Sequence, residues 1–240
     1  SENKNVELFN NSGNINFKID GSDDLNLDNI IFFNSISKSD EKNTITFNAI
    51  SENGKKITVQ YILKNDSYLI ESKILLNDYF LGNESVLLTW VNTLKHQESN
   101  STNEKNQTRI NFFNVDGDFD YTSATSTDNE EIKVEEKLKW ISNKQQFFSS
   151  AILSNNTFNN SKLKSEYIED ENINKKFTIK TEIPIENNSI TYQYYFGPNK
   201  YSILKNIENE FHNNLYLGWI GVGGFNRYII VPIFNFLENI

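Results

Sequence analysis

Thr44-Ile-Thr-Phe-Asn-Ala-Ile50, Lys56-Ile-Thr-Val-Gln-Tyr-Ile-Leu63 and Ser67-Tyr-Leu-Ile-Glu-Ser-Lys-Ile-Leu-Leu76 are three apolar or alternating runs, parted by Asn53-Gly54 and by Asn65-Asp66. Runs of this length, rich in β-branched and aromatic residues, read as strands. Asn-Gly and Asn-Asp tolerate the positive φ that tight hairpin turns need, so the three are expected to form an antiparallel meander. In the second run the pleat puts Ile57, Val59, Tyr61 and Leu63 on one side and Thr58 and Gln60 on the other.

The same grammar extends in both directions. Further strands are expected at Asn14 to Ile19, Ile30 to Phe33, Ser85 to Val91, Arg109 to Phe113, Gln146 to Leu153, Ser161 to Glu169, Lys176 to Ile183 and Ser189 to Phe196. So many short strands without intervening helical periods point to a mainly β chain, a large sandwich of two packed sheets. Glu98 to Thr108 and Thr122 to Glu131 are almost free of apolar residues and read as mobile surface loops.

After Phe196 the pattern changes. Gly197-Pro198-Asn199 breaks the strand, and Tyr201, Leu204, Ile207 and Phe211 recur at three- and four-residue spacing, which predicts an amphipathic helix from Lys200 to His212 packed on the sandwich. The remainder, from Leu215 to Ile240, is the most apolar part of the chain. Asn226, Arg227, Asn235, Glu238 and Asn239 interrupt it and four glycines break its first half, so it does not read as a single membrane span. As a helix it gathers Arg227, Asn235, Glu238 and Asn239 into one arc, with Phe225, Ile229, Ile230, Ile233, Phe234, Phe236 and Leu237 over most of the rest. Such a helix suits either a bilayer interface or a domain core. Pro232 kinks or divides it.

Composition excludes several kinds of chemistry. Across 240 residues there are 23 Lys and Arg against 32 Asp and Glu, a formal charge of -9, and the only arginines are Arg109 and Arg227, so a phosphate-tracking nucleic-acid surface is not expected. With no cysteine there are no disulfides, thiolate metal sites or thiol nucleophiles. The absence of methionine as well reads as a piece processed or excised from something longer. Gly and Pro together number only 13, whereas there are 39 asparagines, so turns fall to Asn and Asp. Phosphate-loop, nucleophile-elbow and zinc-peptidase motifs are missing. His96 ends a strand and His212 ends the predicted helix, both in structural or solvent roles. Asp116-Gly-Asp-Phe-Asp120 starts like a calcium loop but has Tyr121 where the sharp-turn glycine belongs and Thr127 where the bidentate Glu belongs. No cofactor, metal or catalytic constellation is therefore expected. Trp90, Trp140 and Trp219 could stack on sugars, though core positions account for most aromatics in sheets.

Three segments in order carry a family resemblance. They are Leu88-Thr-Trp-Val-Asn-Thr-Leu-Lys-His-Gln-Glu98; Asp118-Phe-Asp-Tyr121 followed by Lys137-Leu-Lys-Trp-Ile-Ser-Asn-Lys-Gln-Gln-Phe-Phe148; and Tyr195-Phe-Gly-Pro-Asn-Lys-Tyr201 with Leu217-Gly-Trp219, Asn226-Arg227 and Val231-Pro-Ile-Phe-Asn-Phe-Leu-Glu238. Together they resemble the periplasmic domain of the YidC membrane-protein insertase in its Bacteroidetes-type form. The resemblance implies a twisted β-super-sandwich, similar to galactose mutarotases, at residues 1–198. It also implies a helix at 199–214 packed on the sandwich and an interfacial amphipathic helix at 215–240 leading toward a membrane span. The chain departs from the family pattern before Val6, where the usual Gly-Gly pair and following strands are not seen.

The function so implied is non-catalytic: a domain on the periplasmic side of the bacterial inner membrane, meeting the Sec translocon and its accessory subunits, inserting membrane proteins, and the bilayer surface. Leu217, Trp219, Phe225, Arg227, Tyr228, Ile229, Phe234 and Phe236 are the expected membrane or partner surface, with apolar side chains in the interface and Arg227 toward headgroups. Two other readings are a carbohydrate-binding module or mutarotase-like epimerase using the concave face, and a structural spacer without a partner.

Overall fold

The computed structural model describes residues 14–19, 25–51, 54–77, 85–123 and 129–215. Its strands are β1 (Asn14–Ile19), β2 (Leu25–Asn26), β3 (Phe33–Lys38), β4 (Lys42–Ile50), β5 (Lys56–Lys64), β6 (Leu69–Leu76), β7 (Ser85–Lys95), β8 (Arg109–Asn114), β9 (Phe119–Tyr121), β10 (Glu130–Val134), β11 (Leu138–Lys144), β12 (Phe148–Glu166), β13 (Ile173–Pro184) and β14 (Ser189–Pro198). The helical turns are α1 (Ser101–Gln107), α2 (Tyr201–Leu204) and two 3-10 turns, Leu27–Asn29 and Phe211–Leu215.

The meander forms as read: β4, β5 and β6 pair antiparallel in succession, with Gly54 at φ 75° and Asp66 at φ 57° in the turns. All described pairings are antiparallel, and the path runs β2-β1-β7-β13-β12-β14-β6-β5-β4-β3, with β10, β11, β8 and β9 branching from β12. The fold is mainly β, a large sheet doubled over into a super-sandwich.

β12 makes the doubling possible. Its first half, Phe148 to Ser154, pairs with β14, and its second half, from Asn159 to Glu166, pairs with β13. The sequence reads two strands here, parted by Asn155-Asn156 and Asn159-Asn160. The structure has one strand of 19 residues, with Asn160 at φ 47° and a register shift between Asn159 and Lys162. Asparagines that tolerate αL serve a bulge as well as a turn, and here they bend a continuous strand from one layer into the other.

Between the layers lies the main core: Val86, Leu88 and Trp90 of β7 and Phe177 and Ile179 of β13 pack with Ile57, Ile74 and Tyr192 of the opposite layer, all essentially buried. A second cluster sits on the outer face of the β8-β11-β12-β14 layer, where Phe113, Trp140, Leu153 and Tyr195 are covered by Leu204 and Phe211. Phe211 meets the Trp140 ring edge-on at 5.2 Å and the Tyr195 ring at 5.1 Å.

Several expectations need correction. The continuous helix from Lys200 to His212 is one α-turn, a turn with Asn209 and Glu210 at φ 60° and 54°, and then a 3-10 turn. The buried Trp140 indole explains the break, because its N–H donates to the Asn209 carbonyl at 3.0 Å, a group a continuing helix would use internally. The apolar spacing still buries Leu204 and Phe211. The expected strand at Ile30 to Phe33 begins only at Phe33, and β9, β10 and β11 were not expected. β11 is hard to see because Ser142, Asn143 and Lys144 are buried in it, hiding the alternation. Finally, the segment read as a mobile loop at Glu98 to Thr108 contains α1, capped by the Asn100 side chain accepting from Asn103 N–H at 2.9 Å.

Candidate functional site

All eight residues expected at the membrane or partner surface, Leu217, Trp219, Phe225, Arg227, Tyr228, Ile229, Phe234 and Phe236, lie outside the described residues, as does the whole segment 216–240. No described helix is long and apolar enough to cross a membrane.

Within the described residues a groove of about 690 Å³ opens where the two layers part. Odd-numbered residues of β4 and β5 form its floor, namely Ile45, Phe47, Val59, Tyr61 and Leu63, joined by Ile70, Tyr194 and Phe196. The register accounts for this, since Asn43 is opposite Leu63, Ile45 opposite Tyr61, and Phe47 opposite Val59, placing the three pairs on one face. Ile15 and Phe17 of β1 form the facing wall, and Leu27 and Phe32 close one end. The polar amides Asn14 and Asn43 are part of the lining, which contains no charged residue.

Three phenols stand at the base. The Tyr192 and Tyr194 hydroxyls are 2.9 Å apart, and Tyr61 and Tyr194 have ring centroids 6.4 Å apart. Burial pushes all three hydroxyls above the ordinary tyrosine range, so they are neutral hydrogen-bonding groups at physiological pH rather than bases. Sugar recognition needs several convergent polar groups around an aromatic platform, and this lining is almost wholly apolar. The sequence exposes the Ile57, Val59, Tyr61 and Leu63 face but not that its outer half is left uncovered.

The other candidate chemical groups have structural settings. His96 Nδ1 is 2.9 Å from Oε2 of Glu104, which is 1 % exposed and also accepts from Gln97 N–H at 3.1 Å, Glu98 N–H at 3.4 Å and Gln145 Nε2 at 3.3 Å. His212 packs edge-on against Tyr201. Asp116-Gly-Asp is a hairpin turn, with Gly117 at φ 96° and the Asn114 side chain bonded to Asp118. Trp90 and Trp140 are fully buried. Lys144 is lowered to about 8 by burial and by the Arg109 charge, with Nζ donating to the Gln145 and Gln107 carbonyls. No group of three or more His, Cys, Asp or Glu among the described residues is placed to hold a metal.

A sandwich doubled through one long strand, with Gly197-Pro198 at its end and the second tryptophan under a C-terminal turn, suits the segments that carried the resemblance. A model of the YidC periplasmic domain matches residues 1–235. The chain belongs to the YidC periplasmic domain family. It is 29% identical over 223 residues to the membrane protein insertase YidC of Azobacteroides pseudotrichonymphae, covering 87% of this chain and 36% of that protein. Against the proteins of the same name from Parabacteroides distasonis and Bacteroides fragilis it is 26% identical over 215 and 253 residues, covering 83% and 98% of this chain and 34% and 40% of theirs. The chain thus spans little more than a third of these YidC relatives.

Proposed function

We propose that this YidC-family domain is a non-catalytic scaffold of a membrane-protein insertase, held on the periplasmic side of the bacterial inner membrane. There it meets Sec translocon accessory subunits or inserting membrane proteins. The match of nearly the whole chain to the YidC periplasmic domain carries this reading. In it, residues 1–198 are the sandwich, 199–214 brace its outer face, and 215–240 lie along the bilayer, with Leu217, Trp219, Phe225, Tyr228, Ile229, Phe234 and Phe236 in the interface and Arg227 at headgroup level. The net charge of -9 gives the sandwich no attraction to anionic lipid, which leaves membrane contact to the tail. Neither the groove nor the relatives favour the sugar-binding alternative.

Complementation tests the reading. In cells depleted of their own insertase, a full-length parent lacking residues 215–240 is expected to fail while one lacking residues 6–196 retains function. Silence of both deletions refutes it. For the tail itself, Phe234→Asp with Phe236→Asp should weaken liposome association at an unchanged β circular-dichroism signal. Loss of that signal would place both residues in the core instead.

A further inference from the structure

We propose that the turn between β11 and β12 is a second point of contact with the bilayer, carrying the Phe147 ring into the boundary between headgroups and acyl chains. The proposal rests on the reading above, in which residues 215–240 lie along that surface. The sandwich as a whole is too acidic to be drawn to anionic lipid, but once the tail has brought it there one uncharged turn can enter the interface.

The turn is built to present an aromatic ring to a medium poor in water. Phe147 is 53% exposed, although Gln145 before it and Ser149 after it are buried. One residue holds the turn: Asn199 Nδ2 lies 2.9, 3.4 and 3.1 Å from the carbonyl oxygens of Gln145, Gln146 and Phe148, and the Asn199 main-chain N–H donates to the Phe147 carbonyl at 2.7 Å. All four carbonyls are thus met from within the protein. Bare backbone acceptors would oppose entry into a membrane, because each would lose its water without a substitute. The same bonds keep the turn from folding back over its own ring.

Position and charge select a lipid surface as the partner. Ser149 Oγ donates to Asn199 Oδ1 at 2.6 Å and accepts from Asn214 Nδ2 at 3.0 Å. The described chain ends one residue later, at Leu215, so residues 216–240 set out from beside a strand position only two residues, about 7 Å, from Phe147. That remainder is the most apolar part of the chain. A tail lying in the interface therefore brings its root, and the turn beside the root, to the same surface. Tyr68, 46% exposed, stands next to the turn with its ring against Gly197, the register partner of Ser149. Neither Gln145 to Leu153 nor Ser189 to Asn199 contains a charged residue, and the charges that flank these runs at the turn are Lys144 and the exposed Lys200. Two aromatic rings bordered by lysine, on strands without a carboxylate, suit the zone where headgroups meet acyl chains.

Single-cysteine labelling tests this, because the chain has no cysteine of its own. F147C carrying an NBD fluorophore on the 240-residue chain, mixed with vesicles of phosphatidylcholine and phosphatidylglycerol, is expected to brighten, shift to the blue and be quenched by lipids spin-labelled near the headgroup end of the acyl chain. D116C, in the turn at the far end of β8, is expected to do none of these. Unlabelled F147S should keep the circular-dichroism signal and weaken vesicle partition about fivefold. A silent F147C probe, equal responses from F147C and D116C, or unchanged partition of F147S overturns the proposal. So does an F147C probe already blue-shifted before vesicles are added, which would put the tail or a second copy over the turn. A probe at F234C separates the two readings: if it responds while F147C is silent, the tail meets the bilayer and the turn does not, and if both are silent neither does.

Discussion

Glu104→Ala should be among the most damaging single changes in the described fold. The carboxylate is 1 % exposed and takes donors from the segment after β7 and the turn after β11: His96 Nδ1, the Gln97 and Glu98 amides, and Gln145 Nε2, all within 3.4 Å. Removing it leaves these donors facing a cavity, and since each buried donor left without a partner costs about 1–3 kcal/mol, the net loss should be about 3–5 kcal/mol. The sum of the individual bonds would be larger, but His96 is 15 % exposed and can be rehydrated. With a urea slope of about 3 kcal/mol/M, the unfolding midpoint should fall by about 1–1.7 M. Glu104→Gln should lose less, since it keeps one acceptor oxygen but turns an NH₂ toward a donor. Amide exchange should localise the effect first to residues 96–108, because Glu104 is the side chain that α1 buries. A loss under 1 kcal/mol for the alanine variant, with unchanged exchange at those residues, would refute the argument and return the segment to an unanchored loop.

Alkaline titration should show an unusual rise. The folded Lys144 ammonium titrates at about 8 against 10.5 for an ordinary lysine, so between those limits the unfolded chain binds more protons and stability increases with pH. The gain is about 3 kcal/mol at most, and it should reverse above about pH 10 as the unfolded tyrosines ionise while the buried ones resist. Urea midpoints that fall steadily from pH 8 would contradict this, and Lys144→Met should reduce the rise without abolishing it, because burial lowers Lys175 to about 8 as well. Gly197→Ala should destabilise by about 1–3 kcal/mol, because its Cβ would lie 2.7 Å from Cδ1 and 2.8 Å from Cγ of Tyr68, the root of that ring, and 2.8 Å from the Tyr195 hydroxyl, which is held on the Pro198 carbonyl. Removing the ring in Tyr68→Ala should relieve only part of the cost, since the Tyr195 hydroxyl stays in place, and an equal loss in the double variant would show that the Tyr68 clash is not the cause.

Much of the architecture is local enough to be read from residues alone. Asn-Gly and Asn-Asp turns, period-two alternation and the Gly-Pro stop depend on neighbours in the chain, so β1, the meander, β7 and β14 are legible, as is the family to which the ordered motifs belong. Where polar residues are satisfied by distant partners, that grammar fails. Glu104 looks like solvent-facing loop and is buried because the residues just past the ends of β7 and β11 supply its donors. Asn155 to Asn160 look like a turn and form a bend in one strand, because an asparagine with positive φ suits either and only the pairing of β12 with both β13 and β14 selects between them. The groove is likewise a product of pairing. Tyr61 and Ile45 announce an apolar face, but its exposure follows from one layer ending at β1 and β2 while the other continues through β4 to β3. Chain-local physics determined which residues are strands, and long-range register decided which of their faces and edges remain open, since burial belongs to the assembled layers and not to any single strand.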